Sequence, residues 1–146
     1  MNAASGDRYD LGRFVAAQAE VYERVCAELR AGRKQSHWMW FVFPQIRGLG
    51  SSEMAVRYAI SSLDEAQANL KHAVLGARLR ESVGIVCELK GKTASEIFGY
   101  PDDLKFHSSM TLFAKASVGG VFREALEKYF GGAMDNGSLE RLRATK

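Results

Sequence analysis

The stretch VLGARLRESVGIVCEL, at positions 74–89, decides the fold class. Its large apolar side chains recur at intervals of four, four and three residues, at Leu75, Leu79, Val83 and Val86. This spacing follows the 3.6-residue period of an α-helix and places the four side chains on one face. Gly91 follows shortly afterwards, as is typical of a helix end. The segment therefore predicts a long amphipathic helix with one buried face.

Similar patterns continue along most of the chain. Further helices are predicted over residues 10–30, 52–60, 62–71, 93–98, 101–115 and 121–130, with a last short helix beginning at Asp135 or Asn136. Asp10 is expected to cap the first of them, and the segments beginning at Ser62 and Thr93 resemble capping boxes. No hairpin pattern separates these segments. The sequence predicts an all-α fold of about eight helical segments.

The segment HWMWFVFPQ, at positions 37–45, is the densest aromatic cluster in the chain. Its period is ambiguous, because a short apolar run fits a buried strand as well as a short buried helix. A small strand near Trp38 and Trp40 therefore stays open within the all-α prediction.

Length and composition favour one folded domain. The chain has 146 residues, of which 47% are hydrophobic, and this is too many for a disordered chain. Residues 1–9 are small and polar and are predicted to form a loose tail, with residues 10–146 as a single helical domain. Cys26 and Cys87 fall in helical patterns and are interpreted as core thiols. With no signal segment and no membrane span in the sequence, we expect a cytoplasmic protein without a membrane partner.

The charge pattern disfavours nucleic acid as a partner. The chain carries 20 basic and 17 acidic residues, a net charge of +3, and the two signs are mixed along it. The one notable basic cluster, formed by Arg30, Arg33 and Lys34, ends a predicted helix, where cations suit the helix dipole. No metal-ligand spacing or cofactor fingerprint is present, so we predict neither a metal nor a cofactor. The oligomeric state is left open.

A polar group stands beside an apolar stripe in the segment KFHSSMTLF, at positions 105–113. The stripe repeats at helical spacing, at Phe106, Met110 and Phe113. Lys105, Ser108 and Ser109 then share the neighbouring face, where an ammonium and two hydroxyls could hold a phosphate or a sugar. The alternative is an exposed lysine with two serines that bond back to the helix.

The aromatic segment supplies a second candidate. Trp38 and Trp40 could form a platform on which a planar ring stacks, with His37 and Gln45 as polar partners. The alternative is that the tryptophans belong to the hydrophobic core.

Glu53 is the candidate catalytic residue. It follows two serines near a predicted helix start and could act as a general acid or base if it faced a pocket. The alternative is that its carboxylate only complements the positive end of the helix.

Four motifs together resemble an uncharacterised bacterial family of mainly helical domains that often carries the name calpastatin. They are SHWMWFVFPQ at 36–45, GLGS at 48–51, DDLK at 102–105 and SSMTLF at 108–113. The resemblance extends from about residue 10 to residue 142 and implies a helical fold. Animal calpastatin is a disordered inhibitor, whereas this chain has the composition of a packed globule.

Over fewer residues, the chain is similar to the NADAR group of helical N-glycosidases, which act on ADP-ribosyl or phosphoribosyl compounds. The similarity rests on Ser51-Ser52-Glu53 and on Lys105-Phe106. It implies that Glu53 is the acid or base, that Lys105 pairs with phosphate or ribose oxygens, and that Trp38 or Trp40 stacks on the base. We therefore expect a small hydrolase acting on a ribosyl phosphate. The alternative is a non-catalytic module that binds a ligand or a protein through the same surface.

Overall fold

The structure, a computed structural model, describes residues 7–145, and in this part of the chain helices are joined by short loops. In chain order they are α1 (Gly12–Gln18), α2 (Tyr22–Arg30), α3 (Met39–Val42), α4 (Glu53–Arg57), α5 (Leu63–Lys71), α6 (Leu75–Glu88), α7 (Ala94–Phe98), α8 (Asp102–Ala116), α9 (Val121–Phe130) and α10 (Asn136–Ala144). The all-α prediction is confirmed. Of the tail predicted for residues 1–9, residues 1–6 lie outside the described part. None of these helices has both the length and the apolar character that crossing a membrane requires.

Helix α8 forms the centre of the molecule. It packs against α3, α5, α7, α9 and α10. The predicted stripe of Phe106, Met110 and Phe113 is fully buried, and the other faces of the helix between residues 106 and 114 are covered as well, apart from the half-buried His107. A helix with neighbours on so many sides must bury polar side chains too, which explains why serines and a threonine lie in the core.

The predicted first helix, over residues 10–30, is divided in two. Residues 19–21 form a turn between α1 and α2, where the side chain of the buried Gln18 donates a hydrogen bond of 2.8 Å to the carbonyl of Phe41. Asp10 does not cap α1, and that prediction is wrong. Its backbone has a positive φ of 54°, and the carboxylate of Asp7 accepts from the amides of Leu11 and Gly12 at 2.5 and 3.1 Å instead.

The aromatic segment is helical, so the small strand considered near Trp38 and Trp40 is not formed. α3 covers residues 39–42, and extended backbone pairing is limited to one isolated parallel bridge between Ile46 and Ile60 within residues 7–145. The cause is tertiary: the carboxylate of Glu28 accepts hydrogen bonds from the amides of Gln35 and Ser36, the Ser36 hydroxyl and the Trp38 indole. These bonds fix the approach to α3 at Trp38.

Most of the predicted caps are present. Ser62 accepts from the Glu65 amide, Thr93 and Glu96 form a complete capping box, and Asp135 caps α10. The box predicted at Ser62 is only half formed, because the Glu65 carboxylate accepts from the amide and hydroxyl of the neighbouring Ser61. Its second oxygen pairs with Arg13 at 3.1 Å. Glu65 thereby ties the start of α5 to α1.

Candidate functional site

A cleft of about 460 Å³ lies where the beginnings of α4, α8 and α10 come together. Its polar lining is contributed by Gln45, Ser51, Ser52, Lys105, Ser108 and Asp135. Apolar side chains of Leu49 and Leu104 complete the walls. Small-molecule sites usually combine such an apolar wall with a few converging polar groups, and we therefore take this cleft as the candidate site.

A cluster of three charges stands beside the cleft. Asp102, in the first turn of α8, pairs through one oxygen with the Lys34 ammonium at 2.8 Å and lies 3.6 Å through the other from the Lys105 ammonium. The Lys34 side chain is only 7% exposed, whereas that of Lys105 is 27% exposed. One carboxylate faces two ammonium groups, so the cluster has one positive charge in excess, and Lys105 is the cation that lines the cleft.

The Lys105 side chain is also positioned by an aromatic ring. Its ammonium lies 5.5 Å from the ring centroid of Trp40, within the range of a cation–π contact. Trp40 is half-buried, on the short helix α3. Because its ammonium lies near both the Asp102 carboxylate and the Trp40 ring, the Lys105 side chain has fewer conformations to lose when an anion binds.

Ser108, which lies one turn after Lys105 on α8, and Asp135 belong to one hydrogen-bond network. Oδ2 of Asp135 accepts from the Ser108 hydroxyl at 3.1 Å, and from the amide and hydroxyl of Ser138 at 2.9 and 2.7 Å. Its backbone amide donates to the Thr111 hydroxyl at 2.9 Å. All three bonds to the carboxylate end on Oδ2, and Oδ1 of Asp135, a residue that lines the cleft, accepts no hydrogen bond from residues 7–145.

The loop before α4 passes so close to that helix that it requires a glycine at position 50. A Cβ on Gly50 would come within 2.7 Å of the Cβ of Ala55, a distance that real Cβ atoms do not tolerate. Ser52 then caps α4 by accepting from the Ala55 amide at 3.1 Å. Gly50 and the cap together fix where Ser51 and Ser52 enter the cleft.

Three of the residues predicted for the site meet in this cleft, namely Gln45, Lys105 and Ser108. Trp40 stands next to them through its contact with Lys105. Glu53 is the first residue of α4, directly after the cleft residue Ser52, but its own side chain is exposed and does not line the cleft. Ser51, Ser52 and Asp135 also line the cleft but are not among the predicted site residues, and the pattern around Asp135 indicates only a helix cap.

The structure does not bring the other predicted ligand-binding residues to the cleft. Trp38 is 1% exposed, and its indole N–H donates to Oε1 of Glu28 at 2.9 Å. Ser109 is fully buried, and its hydroxyl has no hydrogen-bond partner among residues 7–145. His37 is exposed on the segment before α3. Trp38 and Ser109 therefore act as core residues in this conformation.

The two cysteines differ in their burial. Cys26 is buried, in agreement with its interpretation as a core thiol. Burial, reinforced by the Glu124 carboxylate, raises the pKa of the half-buried Cys87 thiol to about 11. A thiol with such a pKa stays protonated at neutral pH and is a poor nucleophile.

Comparison with known proteins identifies a family without an established function. Residues 8–142 match the family described as protein of unknown function (DUF1810). The crystal structure of the conserved hypothetical protein Rv1873 from Mycobacterium tuberculosis is similar, with 59% sequence identity and a TM-score of 0.92, and the match covers 94% of this chain and 99% of that one. No curated protein matches the chain. These matches support an uncharacterised family, but neither the calpastatin name nor a relation to the NADAR group. The chain belongs to the DUF1810 family.

Proposed function

We propose that the cleft between α4, α8 and α10 binds a small ribosyl phosphate. The observation that carries this proposal is that a cation, Lys105, and a carboxylate with an unused oxygen, Asp135, line the same cleft. A simple anion would be repelled by the carboxylate. A ligand that carries a phosphate and sugar hydroxyls satisfies both groups, because phosphate accepts from the ammonium and a hydroxyl donates to the carboxylate.

The remaining polar groups fit the same ligand. Gln45 offers an amide that both donates and accepts, as sugar hydroxyls require, and Ser51 and Ser52 offer two further hydroxyls. The volume of about 460 Å³ is of the order that small-molecule sites have. Trp40, next to Lys105, is the aromatic residue available for contact with a base or ring.

A thermal-shift screen tests this proposal with ADP-ribose, ribose 5-phosphate and unphosphorylated ribose. A ligand at 100 times its dissociation constant adds about 2.7 kcal/mol of apparent stability, so binding is easily detected. We expect the two phosphorylated compounds to raise the unfolding midpoint of the wild type clearly more than that of Lys105→Ala. Lys115→Ala, at the exposed end of the same helix, is the matched control and should respond like the wild type. A wild type that responds to none of the compounds, or a Lys105→Ala variant that responds normally, would contradict the proposal.

A second candidate function is hydrolysis of the N-glycosidic bond of an ADP-ribosyl or phosphoribosyl compound. It is favoured by the carboxylate of Asp135 in the wall of the cleft, whereas the side chain of Glu53, the residue after Ser52, does not line the cleft. A carboxylate would take a proton from water as the water oxygen bonds to the sugar carbon, and the C–N bond electrons would leave with the departing nitrogen, which is neutral in the case of nicotinamide from NAD.

Release of nicotinamide from NAD, followed by chromatography, tests the hydrolase candidate. If Asp135 is the base, we expect Asp135→Asn to lower the rate by about 10²-fold or more while ADP-ribose still binds. Asparagine also caps helices and should preserve α10, and Glu53→Gln is compared in parallel as the test of the catalytic residue predicted from the sequence. Binding of ADP-ribose without any release of nicotinamide would favour the non-catalytic binding module, the alternative to an enzyme.

A further inference from the structure

A second pocket, distinct from the cleft, is lined by four arginines. It has a volume of about 540 Å³ and lies between the turn before α1, the loop after α3 and the end of α4. Its arginines are Arg8, Arg13, Arg47 and Arg57. They belong to three separate segments of the chain, which the fold brings together.

Arg13 connects the segments around the pocket through hydrogen bonds and has no donor left for a ligand. Its Nε donates to the carbonyl of Arg57 at 2.9 Å, and its two terminal nitrogens donate to the carbonyls of Tyr9, Asp10 and Ala59 at 2.7, 2.8 and 2.9 Å and to Glu65 at 3.1 Å. A guanidinium has five N–H donors, so all of them are engaged. The Glu65 charge is neutralised by the same contact.

The other three arginines are exposed and lack a carboxylate partner. None of them forms a salt bridge within residues 7–145. Arg8 lies over the ring of Tyr9 at 5.2 Å, and Arg57 over that of Tyr58 at 5.8 Å, so aromatic faces support two of the guanidinium groups. Asp10 is the remaining acidic residue in the lining. Three unpaired positive charges against one negative charge leave the pocket with a surplus of two.

We propose that this arginine pocket binds a small oxyanion with two or more negative charges, of the pyrophosphate or polyphosphate class. The planar fork of each guanidinium matches the oxygens of phosphate, and the surplus charge matches a multiply charged anion. The three free arginines surround one concave pocket instead of forming an extended stripe, which favours a compact anion over a nucleic-acid backbone. The inference is independent of the function proposed for the cleft, since the two share no lining residue.

Calorimetric titration with inorganic pyrophosphate tests this site. The test variant combines Arg47→Gln and Arg57→Gln, and the control combines Arg24→Gln and Arg123→Gln, two exposed arginines outside the pocket. Both double variants lose the same charge. The Arg57 carbonyl that Arg13 uses is retained, so the fold should be unchanged, as circular dichroism can verify.

We expect the test variant to bind pyrophosphate at least about tenfold more weakly than the wild type, because each lost contact is a charge-assisted hydrogen bond. The control variant should bind within about threefold of the wild type. Three results would overturn the proposal: no binding by the wild type, an equal loss in both variants, or tighter binding of a single-stranded oligonucleotide at the same arginines. Lys105→Ala should leave pyrophosphate binding at this pocket unchanged, which separates it from the cleft.

Discussion

At the scale of single residues, Glu28 does most to hold the aromatic segment in place. One carboxylate accepts four hydrogen bonds, from two backbone amides, a hydroxyl and the Trp38 indole, at 2.6 to 3.1 Å. Burial by itself raises the pKa of this carboxyl, but the hydrogen bonds from Ser36, Gln35 and Trp38 outweigh it and lower the pKa to about 2. The ionised carboxylate is therefore the form that the fold requires.

Replacing this carboxylate by an amide should destabilise the protein. In Glu28→Gln one acceptor oxygen becomes a donor that faces other donors, and we expect a loss of about 2 kcal/mol in the free energy of unfolding. Urea titration followed by tryptophan fluorescence measures the loss. Glu23→Gln, an exposed position on the same helix, is the control and should change little. A Glu28→Gln variant as stable as the control would contradict the role assigned to Glu28.

The lowered pKa of Glu28 predicts that the stability of the fold depends on pH. Because the folded pKa of Glu28 is lower than the unfolded one, the unfolded state binds the proton more readily. The stabilisation is thus complete above the unfolded value, about 4.5, and is lost as the pH falls towards about 2. We expect the stability difference between wild type and Glu28→Gln to shrink over this interval. A difference that stays constant from pH 6 to about pH 3 would exclude this linkage.

Unlike the Glu28 carboxylate, the Ser109 hydroxyl is expected not to stabilise the fold. Its buried hydroxyl has no partner in the described structure, so it is desolvated without compensation. We expect Ser109→Ala to leave stability unchanged or to raise it by about 1 kcal/mol. Thr111→Val, in the same helix, removes a hydroxyl that donates to His107 and accepts from Asp135, and should cost about 1 to 2 kcal/mol. A loss in Ser109→Ala as large as that in Thr111→Val, measured by thermal unfolding, would show that this hydroxyl has a partner.

At the scale of helices, the junction of α5 and α6 depends on a glycine. A Cβ on Gly76 would lie 2.1 Å from the carbonyl oxygen of Leu70, which is a backbone overlap that no side-chain movement relieves. Gly84, two turns further along α6, has no atom within 4 Å of such a Cβ. The two glycines of one helix therefore have different roles.

We expect alanine at these positions to act in opposite directions. Gly76→Ala should destabilise the fold by about 2 kcal/mol or more, because α6 must move away from α5. Gly84→Ala should stabilise it by about 0.5 to 1 kcal/mol through helix propensity. Chemical denaturation of both variants measures the difference. A neutral Gly76→Ala variant would mean that the two helices do not approach as closely as described.

Helices were predictable from the sequence where local signals agree. α6 has a regular apolar period, and α7 has its complete capping box at Thr93 and Glu96. The break between α1 and α2 was not predictable, because it is accompanied by a long-range bond from Gln18 to α3. The helical state of the aromatic segment likewise depends on Glu28, on a neighbouring helix, and not on the segment's own period.

At the scale of the whole molecule, both pockets are assembled from distant segments. The sequence predicted that Lys105, Ser108 and Gln45 would share a site, but not that Asp135 would complete it, because the local pattern around Asp135 shows only a cap. Trp38 and Ser109 were placed in the site by helical spacing and aromatic content, which do not reveal that neighbouring helices cover those faces. The arginine pocket had no sequence signal, since its residues belong to three separate segments.

Arg13 links three segments of the chain, and its replacement should lower the free energy of unfolding of the whole fold. It joins the turn before α1, the end of α4 and the start of α5, and it neutralises Glu65, whose side chain is 4% exposed. Arg13→Met would leave that buried carboxylate unpaired, and we expect a loss of about 3 kcal/mol or more in unfolding free energy. Arg8→Met, at an exposed neighbouring position, is the control for a lost surface charge. A similar small effect in both variants would contradict this structural role.

The measurement that tests the central proposal most directly is a crystal structure of the protein with ribose 5-phosphate. We predict density in the cleft, with the phosphate against the Lys105 ammonium and a ribose hydroxyl against Oδ1 of Asp135. A cleft that stays empty at saturating ligand, with phosphate bound only elsewhere, would contradict the proposal. Phosphate found only among Arg8, Arg47 and Arg57 would assign phosphate binding to the arginine pocket and remove it from the cleft.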